Sequence, residues 1–416
     1  MVILFSSAFP RAFLTWRADP VDLFNGDAIT YLRPAQSLIQ RGAFLNGDGE
    51  PEVTRTPGYP AFFAAMLFLA GQDLRIALIV QAIVLSFGVV FLYWLARRIL
   101  PPVMAFTGGL LAVFSPWGAV SASLPLTEGL FFFLLVLILF LINLIEKGPR
   151  TSIAVMLGGA CVGLLTGAAV LVRPIWPVVP LVAVALFFRY GTRRKGVWFL
   201  LLTMSVGAIA PLTLWKGRSW REAGFNGLSD ISGKAAWRYL ASRVQAQVTD
   251  QDRFLLKDTA TRDDQKGGLS IQETDKERWR RAITVFREHP VRTVYSFVLT
   301  AAENVIHPLP DVLSHARLNF SGDFFALAVL WGGLLILACL GWRYPSEPGR
   351  DDGEIDRGWL LTMSVIALSL TSISGIVFGS GSRYRMPLEL IIPLLAAVGL
   401  VRVVRSFQRL QVGLSH

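Results

Sequence analysis

Charge is scarce in this chain. Asp, Glu, Lys and Arg make up 17% of its 416 residues, against roughly 25% in an ordinary soluble domain. Cysteine is scarcer still: Cys161 and Cys339 are the only two, and both lie inside apolar runs. That excludes a disulfide framework and a cysteine metal site, and predicts free thiols buried in lipid. There is no H-E-x-x-H, no C-x-x-C and no P-loop, so the familiar zinc, redox and nucleotide-driven chemistries have no motif to rest on. Energy for any reaction must come from the substrate or from elsewhere.

What the chain has instead is apolar length. Hydrophobic residues make up 53% of it and its mean hydropathy is +0.51. The stretches Ile76–Ala96, Thr151–Val172, Gly196–Trp215, Phe324–Trp342 and Gly358–Ser382 carry no charge. About 20 apolar residues cross the hydrocarbon core as a helix. An unpaired backbone group in lipid is too costly for most other conformations. The reading is an all-α polytopic membrane protein of about 10–11 transmembrane helices, with spans near 1–16, 75–96, 103–120, 127–146, 151–172, 174–190, 197–215, 323–342, 358–379 and 386–404. The first is short and interrupted by Pro10 and Arg11; it reads as the remainder of a longer helix or as a surface helix.

The formal net charge of +11 would suggest a nucleic-acid partner in a soluble protein. Here the basic residues fall in short loops, which makes orientation the simpler reading and leaves no role for nucleic acid. Arg97 and Arg98, Lys147 and Arg150, Arg189 to Lys195, Arg343 to Arg357, and Arg402 to Arg409 alternate correctly with the spans and can all be cytoplasmic. Three parts follow. Residues 1–215 are an N-terminal transmembrane module with a first outer loop at 17–74. Residues 216–322 are an outer-face segment with an interfacial or re-entrant helix near 291–308, and 323–416 are the C-terminal transmembrane helices. Loops as long as the two outer ones usually carry function. The apolar helix expected near 58–71 is too short to span and should lie at the interface.

Five short constellations on the outer face could carry chemistry. Asp27, in Gly26-Asp27-Ala28-Ile29-Thr30-Tyr31, is either a helix cap or a carboxylate available as a general base or cation ligand. Arg55, in Thr54-Arg55-Thr56-Pro57-Gly58-Tyr59-Pro60, is either a snorkelling side chain or a phosphate ligand. Glu128 ends the uncharged run Ile99–Thr127; a carboxylate at membrane depth is costly and tends to be functional, though a first-turn acid also complements the helix dipole. Arg173 precedes Pro174 between two spans and anchors the interface or joins a site. Arg383, Tyr384 and Arg385 precede Pro387, which is expected to open the last span, with Glu389 in its first turn; they form an anion site or an interfacial belt. Carboxylates and arginines on one membrane face suit a phosphorylated lipid as ligand.

These motifs, in this order, resemble those of the GT-C glycosyltransferases, in particular the protein O-mannosyltransferase and aminoarabinose transferase type that uses polyprenyl-phosphate sugars. The resemblance covers most of the chain. It runs from Asp27 and the Arg55-Thr56-Pro57-Gly58-Tyr59-Pro60 turn through Leu126-Thr127-Glu128, Gly167 to Arg173-Pro174, and Pro211 with Trp215, to Arg383-Tyr384-Arg385-Met386-Pro387. It departs in having Gly26 before Asp27, where paired acids are common. It departs again in Trp215-Lys216-Gly217-Arg218-Ser219, where a Trp-x-x-Arg-Asn pattern is usual.

The resemblance implies an enzyme at the outer face of the cytoplasmic membrane that moves a hexosyl or pentosyl group from a polyprenyl-phosphate donor to a hydroxyl of a lipid, glycan or protein, with inversion. It implies Asp27 as base and Glu128 as the second acid. Arg55 and Arg383, with Arg173, Tyr384 and Arg385 beside them, would bind the lipid phosphate; Tyr31, Tyr59 and Glu389 would complete the site. No cofactor is demanded. A divalent cation, Mg²⁺ or Mn²⁺, would fall to Asp27 and Glu128. Two other readings stay open: a flippase or transporter of a lipid-linked sugar, and an inactive homologue serving as a scaffold. The lack of an inverted repeat, and of ionisable residues strung across the membrane middle, argues against the transporter.

Overall fold

The computed structural model describes residues 2–17, 27–148, 151–175, 177–190, 196–249, 251–252, 255–257, 259, 269–306, 323–343, 355–378 and 382–414. Within these, the side chains at 14, 17, 306, 323–328, 375–378, 382–384 and 409–414 lie outside the description. Among the described residues there is no strand, only an isolated antiparallel bridge between Leu45 and Pro51. The chain is an all-α polytopic membrane protein. Helices α4 (Leu74–Ile99), α7 (Thr127–Lys147), α8 (Ser152–Val172), α10 (Val197–Ala223) and α16 (Arg357–Phe378) are long and apolar enough to cross a membrane. Shorter apolar helices accompany them: α1 (Val2–Arg17), α3 (Gly58–Leu69), α9 (Val178–Tyr190) and the later part of α15 (Asp323–Arg343). The outer surface of this bundle is itself apolar. Phe9, Phe188, Trp198 and Leu214 stand more than 70% exposed, an arrangement that hydrocarbon tolerates and water does not.

Two expected boundaries differ, each at a proline. The span expected at 103–120 is two helices, α5 (Pro102–Val113) and α6 (Pro116–Ser123), bent by 51°. Pro116 has no N–H to give to the preceding turn, and Ser115 restarts the helix by accepting from Gly118 N–H. The last span does not open at Pro387. Residues Ser382–Leu390 form a 3₁₀ helix, and the α-helix α17 begins at Ile392. Pro10, by contrast, is accommodated inside a continuous α1. Cys161 and Cys339 are unpaired and sit on the bundle surface.

Small residues bring the backbones together. Gly159, Gly163 and Gly167 form a stripe at four-residue spacing along α8, facing α10. A Cβ on Gly163 would lie 2.2 Å from the Met204 carbonyl oxygen, and one on Gly167 would lie 2.6 Å from that of Ala208. Close approach of this kind is how helices associate when the surroundings are as apolar as they are. It fixes the far end of α8, where Arg173 follows.

The polar segment folds over one end of the bundle. Helix α10 runs on beyond its apolar part to Ala223 and stops at Gly224 in the left-handed conformation, φ 64°. Trp215 Nε1 donates to the Leu228 carbonyl at 2.7 Å, and Arg218 donates to the Glu52 and Phe44 carbonyls at 2.6 Å each. The Arg218 guanidinium also stacks on the Phe44 and Trp215 rings. The Trp-x-x-Arg pair of the sequence thus fastens the loop that holds Phe44 and Glu52 to the end of a long helix. Beyond it lie α11 (Ile231–Ala235), a π-helical turn (Ala236–Ala241), α12 (Ser242–Thr249), α13 (Ile271–Glu288) and α14 (Pro290–Ile306). Helix α13 opens with a reciprocal capping box between Ser270 and Glu273. Arg243 holds Glu303 and Thr300 of α14.

Replacing Gly163 with Leu should force α8 and α10 apart and destabilise the fold by about 1–3 kcal/mol or more. Gly217→Ala, in the exposed interior of α10 where an added Cβ meets nothing within 4 Å, should instead stabilise it by up to about 1 kcal/mol. Thermal unfolding of both variants in detergent checks this; equal midpoints for the two would contradict it.

Candidate active site

A cavity of about 270 Å³ lies under the polar segment. Its walls come from helix α2 (Asp27–Arg41), the turn that precedes α3, the first turn of α7, the end of α8, and the π-helical turn. The chain brings these together by packing. A Cβ on Gly58 would lie 2.6 Å from the Leu171 carbonyl oxygen, so only glycine lets the Arg55 turn rest on the end of α8.

Asp27 is the first residue of α2, where an acid complements the helix dipole. Its carboxylate accepts from Arg55 at 2.7 Å. Two further donors of that guanidinium are engaged by α2: Nε gives to Thr30 Oγ1 at 2.9 Å and an Nη gives to Tyr31 Oη at 3.1 Å, with the group seated over the Tyr31 ring. Behind it, the N–H groups of Thr54 and Arg55 both donate to Glu52. Burial pushes the Glu52 carboxyl above its ordinary range, and those two backbone donors only partly offset this. Burial alone would lower the Arg55 guanidinium, but Tyr31 and Asp27 outweigh it and hold it above its usual value. Asp27 keeps about half of its side chain open, 48% against 13% for Arg55, so the carboxylate, not the arginine, faces the cavity's solvent.

The second pair lies deeper. Leu126 offers no side-chain cap to α7, and Glu128 in the first turn is 2% exposed, 3.6 Å from Arg173. Arg173 closes α8, its own N–H bonded to the Ala169 carbonyl and its guanidinium 5.9 Å from the centre of the Phe131 ring. A buried pair of this kind gains little as a pair but is strongly destabilised when one partner is removed.

The polar segment supplies a third wall, one that no motif in the sequence marked as a site: Lys234, Arg238 and Tyr239. Lys234 bonds Asp230 at 2.7 Å and Thr54 Oγ1 at 3.2 Å. Arg278 holds the same Asp230 oxygen at 3.2 Å. Burial favours the protonated form of Asp230, but Lys234 and Arg278 outweigh it and lower the group. The neighbouring Asp275 is pushed up to about 6, first by burial and then by the charge of Asp230. The sequence carried one usable signal, the spacing Lys234, Arg238, Tyr239, which places three donors within about one turn of helix; the π turn that aims them had none.

Of the residues expected at the site, Asp27, Tyr31, Arg55, Glu128 and Arg173 line this cavity together. Tyr59 lies beneath it, fully buried, donating to Gln81 at 2.7 Å and packed edge-on against Tyr31. Arg385 and Glu389 do not join. The 3₁₀ turn carries them into the bundle, where Arg385 is 1% exposed and lies against the Trp117 and Trp331 rings, and Glu389 shares a separate small cavity with Arg11. Arg383 and Tyr384 lie outside the described side chains. Among the described residues no group of three or more His, Cys, Asp or Glu could hold a metal. Asp27 and Glu128 each already face a guanidinium, so the pair does not fit a divalent cation as arranged, and no step below runs through one.

No protein-family model matches this sequence, and no curated protein matches it. Among solved structures the chain is similar to the archaeal oligosaccharyltransferase AglB from Archaeoglobus fulgidus in complex with an inhibitory peptide and a dolichol-phosphate. The identity is 12% and the TM-score 0.47, over 99% of this chain and 51% of that one. The chain therefore spans about half the length of that enzyme. It is also similar to ArnT from Cupriavidus metallidurans, in the apo state and bound to undecaprenyl phosphate, at 15% identity, with TM-scores of 0.39 and 0.40 over 94% of this chain and 76% of that one. Likeness at this level leaves function to be argued from the site.

Two outcomes follow from the charges. Arg173→Leu should destabilise the fold by about 3–5 kcal/mol, and adding Glu128→Leu should restore most of that; thermal unfolding of the single and double variants measures both. Asp275 has a folded-state value raised from 3.8 to about 6, so its ionisation works against the fold. Stability should fall as pH rises from about 4 to 6, because the folded state then binds more protons than the unfolded one. Asp275→Asn should remove that slope and raise stability at pH 8 by about 1–2 kcal/mol after solvent screening. An unchanged pH profile would show that Asp275 does not titrate in this range.

Proposed function

We propose that this protein is a membrane glycosyltransferase that moves a sugar from a polyprenyl-phosphate donor to an acceptor hydroxyl at the outer face of the cytoplasmic membrane. The observation that carries the reading is the meeting of two carboxylate–arginine pairs, Asp27 with Arg55 and Glu128 with Arg173, in one cavity at the same end of an apolar bundle. All four residues of those pairs lie in motifs that carry the resemblance to GT-C enzymes.

The chemistry asks little of the protein beyond position and charge. A sugar on a phosphate already has a good leaving group, so no strong general acid is needed. The enzyme must orient the hydroxyl, take its proton and receive the charge of the departing phosphate. Asp27 is the half-open carboxylate and takes the proton, from the face opposite the leaving group, which gives inversion. Arg55, bound to Asp27 before the donor arrives, is drawn to the lipid phosphate when the donor binds. That exchange frees the carboxylate at the moment it is needed. Arg173, Lys234 and Arg238 add positive charge around the same phosphate, and Glu128 keeps Arg173 in place.

A flippase reading would require the ionisable residues to continue into the bundle. Arg11, Arg385 and Glu389 do lie there. The cavity that Arg11 and Glu389 line is only about 10 Å³, room for about one water, which supports surface chemistry over passage.

Purified protein in membranes, given a panel of radiolabelled polyprenyl-phosphate sugars, tests this. Wild type should transfer or release one sugar. Asp27→Asn should lose about 10²–10⁴-fold in rate, and Arg55→Gln should mainly raise the KM for the donor. Saturable binding without turnover in both wild type and Asp27→Asn would overturn the transferase.

A further inference from the structure

A buried amide lies beneath the cavity. Gln81 stands in α4, about 10 Å along the helix from Leu74, and is 0% exposed. Its neighbours in the run Ile76–Ala96 are nearly all apolar. An amide left unbonded in such surroundings costs about 4–8 kcal/mol. Here both N–H groups and the oxygen are engaged. Nε2 donates to the Leu124 carbonyl at 2.8 Å and to the Ala122 carbonyl at 3.2 Å, and Oε1 accepts from the Tyr59 hydroxyl at 2.7 Å. The orientation is forced, because the two backbone carbonyls can only accept. The nitrogen must face them, so the oxygen faces Tyr59 and the hydroxyl must donate.

Each partner leads to the charged pairs. Tyr59 follows Gly58, whose close contact with Leu171 seats α3 on the end of α8, where Arg173 follows. The Tyr59 ring packs edge-on against Tyr31, 5.3 Å between centroids, and Tyr31 Oη accepts from Arg55. On the other side, the Leu124 carbonyl also accepts from the N–H of Leu126, the residue before α7, and Glu128 is in the first turn of that helix. Leu126 offers no side-chain cap. Gly129 sits so close that a Cβ would lie 2.8 Å from the Ser121 carbonyl oxygen. The direction in which Glu128 leaves the turn is therefore set by backbone contacts, and Gln81 holds the turn that makes them.

We infer that Gln81 is a positioning residue for sugar transfer, which fixes the separation between the Asp27–Arg55 and Glu128–Arg173 pairs. This role rests on the transferase reading. Gln81 lies below the cavity and acts only through the residues it holds. Packing alone would be served by an apolar side chain of the same length. What the amide adds is direction, since its three bonds tie α3 and the turn before α7 to one point on α4. A displacement of about 1 Å between reacting groups can cost about 10²-fold in rate.

Steady-state rates with the radiolabelled donor that wild type turns over test it. Gln81→Met keeps the length and the packing and removes all three bonds. Its kcat should fall about 10–100-fold, with the KM for the donor within about twofold of wild type, because each pair survives and only their spacing changes. Tyr59→Phe, which keeps the ring and removes one bond, should lower kcat about 3–10-fold. The two together should be no slower than Gln81→Met alone, since the hydroxyl acts only through the amide. Retention of undecaprenyl phosphate, read by native mass spectrometry, should be equal in wild type and all three variants. If Gln81→Met does not fold, Tyr59→Phe decides on the same readouts. No turnover by wild type would sink the transferase reading and this role with it. Once wild type is seen to turn over, four results overturn the role alone: unchanged kcat, a loss confined to KM, effects that multiply in the double variant, or lipid retention that falls together with kcat.

Discussion

An ionised side chain surrounded by hydrocarbon is stable only beside a counter-charge, and the site at the mouth of this bundle is organised around that requirement. Glu128 and Arg173 come from different helices and are almost wholly buried. Neither could hold its charge without the other. The pair therefore pins the start of α7 to the end of α8, and the glycine stripe of α8 pins that end to α10. The upper pair is built differently. Arg55 binds three side chains of one helix turn, so it is held at the cavity until a ligand competes for it, and its partner Asp27 remains half open. One pair is structural by virtue of depth; the other is available by virtue of exposure.

Charge at the two ends of the bundle is managed by the same means with different results. At the end that holds the Asp27 cavity the arginines sit beside carboxylates and the cavity is polar. At the far end Arg189 is shared between Glu146 and Asp356, which locks α7, α9 and α16 together. Arginine suits all of these positions because its planar fork can serve two partners and stack on an aromatic ring at once, as Arg189 does on Trp359.

Much of the site was legible in the sequence, and the physical reason is lipid. A charge inside an apolar chain is expensive enough to be conspicuous, which made Glu128, Arg173 and the Arg55 turn visible by contrast alone. The long uncharged runs gave the helices. Two kinds of feature were not legible. Proline marks a boundary without saying which kind: Pro10 is carried within a helix, Pro116 bends one by 51°, and Pro387 sits in a 3₁₀ turn that redirects Arg385 and Glu389 into the bundle. The wall supplied by Lys234, Arg238 and Tyr239 was hidden for another reason. In a polar segment a basic residue does not stand out, and its direction depends on a π turn that no residue type announces.

That π turn, Ala236–Ala241, has a consequence for how the cavity can change over time. A π turn holds one residue more than the α turn it replaces. Each residue in a helix adds about 100° of rotation. Deleting a single residue there would relax the segment to a plain helix and swing every side chain before it about a quarter-turn relative to those after it. Lys234, now bonded to Thr54 of another loop, and Arg243, held by Glu303 of α14, could not both keep their partners. The lining of the cavity is thus sensitive to chain length as well as to residue identity. In a lineage of such proteins, a one-codon insertion or deletion at this point would recast the pocket more than most substitutions could.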